Sequence, residues 1–163
     1  MNSLTIIAGI LALLGSAVIA GVFFAFSNFI MGALGRLDAG QGMAAMQSIN
    51  VVVLNPLFLG IFSGTAVVSL VAAGLAVATW GVARAGWFIA AALLYCLGTF
   101  VLTGVGNVPL NNQLEAMPVS DPEASGLWQR YLDRWPRLNT IRTIASMAAA
   151  IALLTGMLSA GGA

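Results

Sequence analysis

The sequence predicts an all-α integral membrane protein, an antiparallel four-helix bundle with short interfacial helices at one end, forming a single transmembrane domain over residues 1–163. Three observations carry that reading. The chain is 60% hydrophobic and 7% charged, against about 25% charged in a soluble domain, so it cannot cover a water-facing surface. Its mean hydropathy is +1.00. Four apolar runs each reach the roughly 20 residues that a bilayer span needs.

The first run covers roughly 4–34. Its start, MNSLTIIAGILALLGSAVIAGVFFAF, lacks a positive n-region and is much longer than the apolar part of a cleaved leader, so it reads as a retained membrane helix. Ala8, Ala12, Ser16 and Ala20 recur every fourth residue, and such small residues let helix backbones approach in lipid. In GQGMAAMQSINVVVL, Met43, Met46, Ile49 and Val53 recur at helical spacing and predict an interfacial helix over roughly 41–53. Asn55-Pro56 then sets an N-cap beside a proline at the first helical position, where a missing N–H is harmless. It starts the second run, roughly 56–80. That run carries Gly60-x-x-x-Gly64, which suits contacts within a chain or between copies, so a homo-oligomer is a candidate. A tight turn around 81–85 leads to the third run, roughly 86–105, and the fourth covers roughly 141–160, with Ala145, Ala149 and Ala152 on one face.

The longest connection runs from Asn107 to Thr140. With the adjoining Arg142 it holds eight of the eleven charged residues: Glu115, Asp121, Glu123, Arg130, Asp133, Arg134, Arg137 and Arg142. It begins in TGVGNVPLNNQLE, residues 103–115, where glycines, a proline and asparagines interrupt the apolar run. This stretch is expected to end the third helix at Asn107 and to line a pocket. Asp121, Pro122 and Glu123 are helix-start signals and predict a second interfacial helix over roughly 122–135. At about 100° per residue, Trp128, Tyr131 and Trp135 share one arc, with Arg130, Asp133, Arg134 and Arg137 opposite. Aromatics at the interface and arginines toward water suit such a helix. The same phase adds Asn139 and Arg142 to the aromatic arc, although Pro136 is expected to kink the chain or to start the fourth helix anew.

Charge and residue types exclude whole classes of function. A net charge of +1 predicts no nucleic-acid partner. Histidine is absent and Cys96 stands alone in an apolar run. That removes the usual haem ligand, a CxxC pair and a thiolate metal cluster, so no metal and no cofactor are expected. Arg36, Arg130, Arg134, Arg137 and Arg142 gather on the side of the two long connections, and Arg84 stands alone on the other. The positive-inside rule then places both termini outside and the 107–140 connection in the cytoplasm; the membrane expected is a bacterial inner one.

All four helices bring uncharged polar groups to that end: Ser27 and Asn28, Asn50 and Asn55, Asn107 and Asn111, and Asn139 beside Arg142. Gln47, Tyr131 and Trp135 can close it from above. Each asparagine's ordinary role is a helix cap. Arg142 is the sharpest residue, because a charge inside a membrane helix costs up to roughly 3 kcal/mol on insertion scales. It either snorkels to a lipid phosphate or faces inward and binds an anionic or enolate oxygen. Glu115 is the best-placed carboxylate for a base, against its ordinary reading as a solvated loop charge.

GVFFAFSNFIMGAL, MQSINVVVLNPLF, GNVPLNNQL and WQRYLDRWPRLNTIRT, in that order, resemble the anthrone-oxygenase-like family of small four-helix membrane proteins over nearly the whole chain. The NVPLN turn together with W-x2-Y-x3-W-x3-N-x2-R is the specific part. The resemblance implies a cofactor-independent oxygenase of anthrone-like or related aromatic substrates at a membrane-interface pocket. Such chemistry needs an apolar aromatic slot, a base and donors for a developing oxyanion. Arg142, Asn107 and Asn111 are the catalytic candidates. Asn50, Asn55, Gln47, Trp128, Tyr131, Trp135 and Asn139 are the substrate-binding ones. Family members often carry histidine directly after the motif's asparagine, where this chain has Thr140. The expected partners are membrane lipid and a hydrophobic aromatic small molecule. The alternatives are a non-enzymatic binder of a lipid, quinone or hydrophobic metabolite, and a structural membrane subunit.

Overall fold

A chain in hydrocarbon must close its own backbone hydrogen bonds, and a helix does so within one segment. The computed structural model, which describes residues 3–82 and 85–161, is accordingly built of helices, with no strand among the described residues. α1 is Ser3–Leu34, α2 is Ala39–Val52, α3 is Pro56–Trp80, α4 is Gly86–Glu115 and α5 is Ala124–Gly161. α1, α3, α4 and α5 are each long and apolar enough to cross a membrane. They close a ring in which α1 and α4 both pack on α3 and α5. α2 lies across one end, against α1, α4 and α5. Arg84, the lone arginine assigned to the opposite side, lies outside the described residues.

Small residues line the helix contacts of the ring, and large aliphatic ones cover much of its outside. Ala8, Ala12, Ser16 and Ala20 of α1 are buried, as are Ala145, Ala149 and Ala152 of α5. Leu4, Leu57, Ile144 and Leu158 point outward and are more than three-fifths exposed, at 62, 74, 63 and 69%. This inversion of a soluble core suits lipid, where burying leucine gives no helix association and close backbone approach does. A close approach joins α4 and α5 at Gly98, where a side chain's Cβ would stand 2.6 Å from that of Ala145. Gly60 and Gly64, by contrast, have nothing within 4 Å of a Cβ, so the pair faces away from the described fold.

Helix starts follow local chemistry. The Asn55 side-chain oxygen accepts the Phe58 N–H at 3.0 Å, and Pro56 takes the first helical position. Asp121 accepts the Glu123 N–H at 2.8 Å just ahead of α5.

Two boundaries differ from expectation. The third helix does not end at Asn107, because α4 continues to Glu115 through widened, π-helical turns at Cys96–Val101 and Thr103–Asn107. In the second, the Val108 N–H reaches five residues back to the Thr103 carbonyl. This wide turn precedes Pro109, whose ring would otherwise press on the turn before it. The predicted interfacial helix over 122–135 and the predicted fourth span over 141–160 are likewise one helix, α5, with Pro136 inside it. Packing on three sides holds α5 together where an isolated helix would break. The Thr140 hydroxyl donates to the Pro136 carbonyl, and the Asn107 amide donates to the Trp135 carbonyl, which fastens the turn that follows the proline.

Candidate functional site

Because α5 is continuous, its aromatic phase runs unbroken into the bundle. Trp128, Tyr131, Trp135, Asn139 and Arg142 are all at most 5% exposed and share one face. Arg130, Asp133, Arg134 and Arg137 are exposed on the other. The rings form a ladder. Trp128 stacks on Tyr131 at 5.7 Å between centroids, and Tyr131 on Trp135 at 6.0 Å. Phe26, in the widened turn of α1, leans on Trp135 at 5.6 Å.

Arg142 sits below the ladder, 3% exposed. Nη2 donates to the Asn139 side-chain oxygen at 2.7 Å and Nη1 to the Thr103 hydroxyl at 3.0 Å. The guanidinium carbon lies 4.1 Å from the Phe23 ring centre and 5.4 Å from that of Trp135. Nε has no partner. No carboxylate meets this cation among the described residues, and a buried ion without a counter-charge costs several kcal/mol. Asn139 is itself tied down. Its amide donates to the Phe23 carbonyl at 2.6 Å and to the Ser27 hydroxyl at 2.7 Å. The widened turn at Phe26–Ile30 puts Ser27 within reach.

Arg142 looks into a cavity of about 190 Å³. A dry cavity of about 150 Å³ already admits a benzene ring. The walls are Phe23, Phe26, Met46, Ile49, Phe58 and Phe62, with Thr103, Asn50, Asn111, Trp135 and Arg142 as the polar or amphipathic points. Leu54, Leu59 and Val108 also line it and are exposed, so the cavity opens sideways where α3 begins, toward the lipid-facing surface.

Two of the acceptors around this cavity, the Asn111 and Thr103 side-chain oxygens, are already engaged. The Asn111 side-chain oxygen takes both the Tyr131 hydroxyl at 2.9 Å and the Trp135 indole N–H at 2.7 Å. Thr103 gives its proton to the Thr99 carbonyl at 2.7 Å and accepts from Arg142. The donors remain. The buried Asn50 amide nitrogen and Arg142 Nε have no partner. With both its acceptor directions used, Asn111 has only its amide N–H groups to offer. Apart from the Asn50 oxygen, the side-chain groups left free in the cavity wall are donors, which suits a ligand presenting oxygen, above all an anionic one.

Of the ten residues singled out from sequence, Asn50, Asn111, Trp135 and Arg142 line the cavity. Asn107, Tyr131 and Asn139 stand behind it and hold the liners. Asn107 is 1% exposed and reaches Trp135 through its amide, leaving its own oxygen unpartnered. Three are elsewhere. Gln47 donates to the Leu114 and Met117 carbonyls and clamps α2 to the end of α4. Asn55 is a helix cap. Trp128 packs among Met43, Met46 and Leu114. Glu115 is exposed and does not line the cavity. Thr140 is exposed too, its hydroxyl spent on Ser27 and Pro136. Phe23, Phe58, Phe62 and Thr103 were not singled out. Phe58 and Phe62, one helical turn apart just after the α3 cap, and Thr99 and Thr103, one turn apart in an apolar helix, were the available signals.

A family model described as anthrone oxygenase matches residues 57–152. The match takes in α3, α4 and the part of α5 that carries Trp128 to Arg142, and it leaves out Asn50 and all of α1. Comparisons with curated proteins and with solved structures gave no match.

Proposed function

The chain belongs to the anthrone oxygenase family, and on that premise we propose that it oxidises an anthrone-like, electron-rich aromatic with O₂ at the Arg142 cavity, without a bound cofactor. The observation that carries this reading is the buried, uncompensated Arg142 facing an aromatic-walled cavity with free donors at Asn50 and at Arg142 itself. An anthrone carries a carbonyl, and its enolate is an aromatic phenolate. The cation at Arg142 and the Asn50 and Asn111 amides would hold that oxygen and stabilise its charge. Trp135, Phe23 and Phe62 would flank the rings.

The chemistry balances with O₂ as the oxidant. The ring methylene loses a proton, the carbanion adds O₂, and the peroxide is protonated. The O–O bond then breaks as the second C–H proton leaves, giving a carbonyl and one water. No carboxylate lines the cavity among the described residues, so Arg142 works on acidity. A cation beside the oxygen favours the enolate, and water takes the proton.

The late positions of α1 and α4 meet the early positions of α3 at this one cavity, which favours an antiparallel bundle. With the arginine-rich end on the inner side, the 107–140 segment is cytoplasmic.

A second reading has its own support. A cavity rich in donors, lacking a base and open toward lipid also suits a quinone carbonyl that is bound and not transformed. Oxygen uptake by the purified protein with a simple anthrone, beside Arg142→Ala and detergent alone, separates the two. The oxygenase reading requires uptake above autoxidation that disappears in Arg142→Ala. Equal uptake in all three samples, with quinone bound by the unmodified protein and not by Arg142→Ala, establishes the binder instead.

A further inference from the structure

A separate concavity runs along the outside of the bundle between α4 and α5. Its wider part, about 390 Å³, is lined by Val105, Gly106, Leu110, Arg134, Arg137 and Leu138. A narrower part continues past Leu110 and Arg134 to Arg130. Gly106 forms the floor because it has no side chain; a Cβ there would already stand 3.3 Å from a Leu138 methyl. Arg130, Arg134 and Arg137, at spacings of four and three, edge the groove along the exposed side of α5. Among the described residues none of the three has an ion-pair or hydrogen-bond partner, Asp133 included. Both walls belong to helices long and apolar enough to cross a membrane. An apolar furrow thus meets a row of uncompensated cations.

A phospholipid has the matching form, a hydrocarbon chain joined to a phosphate. A zwitterionic headgroup brings its own cation and gains little from three arginines, whereas a net negative one gains from each. We propose that this groove is a binding site for an anionic phospholipid, with an acyl chain along Val105, Gly106 and Leu138 and the phosphate between Arg134 and Arg137. The site does not depend on what the Arg142 cavity does. Tyr131 borders the narrower part of the groove and hydrogen-bonds Asn111 in the cavity wall, so one helix wall separates the two.

The test is native mass spectrometry of the full chain released from bilayers of equal phosphatidylcholine and phosphatidylglycerol. One phosphatidylglycerol should be retained in preference to phosphatidylcholine. Each arginine near an anionic surface is worth about fivefold in binding, so R134Q/R137Q should reduce retention about 25-fold. R36Q removes an exposed arginine outside the groove and should leave retention within twofold. All three positions are exposed, and an unchanged helical circular dichroism signal confirms folding. Equal retention of the two lipids, an equal loss in R36Q, or displacement of the lipid by excess inorganic phosphate would each overturn the site.

Discussion

The two ends of the bundle treat buried polar groups in opposite ways. Around Ala72, Ala76, Phe88 and Leu153 the interior is alanine and aromatic, and the polar groups are neutral and sparse. Thr5, Ser16 and Ser69 bury hydroxyls that have no partner among the described residues, while Tyr95 and Cys96 reach across to backbone carbonyls of α3, those of Phe62 at 3.0 Å and Ala66 at 3.7 Å. At the other end a full cation is buried, and Asn139, Thr103 and Asn111 are each engaged more than once to position it or its surroundings. The first end is held by shape. The second spends stability on a charge that nothing within the described fold neutralises, and strain of that kind concentrates where a ligand is bound.

The sharpest way to break this comparison is at Arg142. Arg142→Ala is expected to lower the oxygenase rate by about 10²–10³, the usual cost of one oxyanion donor. Arg142→Leu should lose the same activity yet unfold in detergent at a temperature no lower than the unmodified protein, because replacing an uncompensated buried ion with apolar volume is neutral or stabilising. Lower stability in Arg142→Leu would make the arginine structural and dissolve the contrast between the two ends.

Asn139→Ala comes next. The side chain orients Arg142 and ties α5 to α1 through Phe23 and Ser27, so its loss lets the guanidinium drift. A misplacement of about 1 Å can cost up to about 10² in rate. As a positioning residue it should lower kcat far more than it raises KM. A change in KM alone would place Asn139 in direct contact with the substrate.

At the shape-held part of the bundle the effect is on stability. Gly98→Val should destabilise by about 1–3 kcal/mol, since its side chain would press into Ala145. Gly60→Val, with open space around it, should change stability by less than about 0.5 kcal/mol in detergent. A large loss at Gly60 would show that this face packs against something outside the fold described for one chain.

How much of this was legible beforehand follows the same division. The four spans, the Asn55-Pro56 start and the small-residue faces of α1 and α5 were readable because lipid forces long apolar helices and close packing leaves a periodic trace. The aromatic arc of α5 was readable for the same reason, down to Asn139 and Arg142. The continuity of α4 past Asn107 and of α5 through Pro136 was not. Glycine, proline and asparagine are local stop signals, and what overrides them is a widened turn at Thr103–Asn107, a Thr140 bond back to Pro136 within α5, and the Asn107 side chain reaching over from α4. The cavity's phenylalanines were hidden because an inward phenylalanine of a membrane helix looks like an outward one. Gln47, Asn55 and Trp128 were grouped with the site because they lie at the right end of the molecule, and an end does not say which way a side chain turns.

Thr140 gives the smallest expected effect and draws the boundary of the site. It stands where family members often carry histidine, and a missing histidine suggests a missing base. Its position argues otherwise. The side chain is exposed, its hydroxyl bonds Ser27 and Pro136, and it does not line the cavity. Thr140→Val removes two hydrogen bonds at an exposed site and should change stability by less than about 0.5 kcal/mol and oxygen uptake by less than twofold. A tenfold loss of uptake would mean that the reacting centre reaches across α5 to the Ser27 side. The donors at Arg142 would then be only half of the machinery, and the polar end of the bundle would hold two functional faces in place of one.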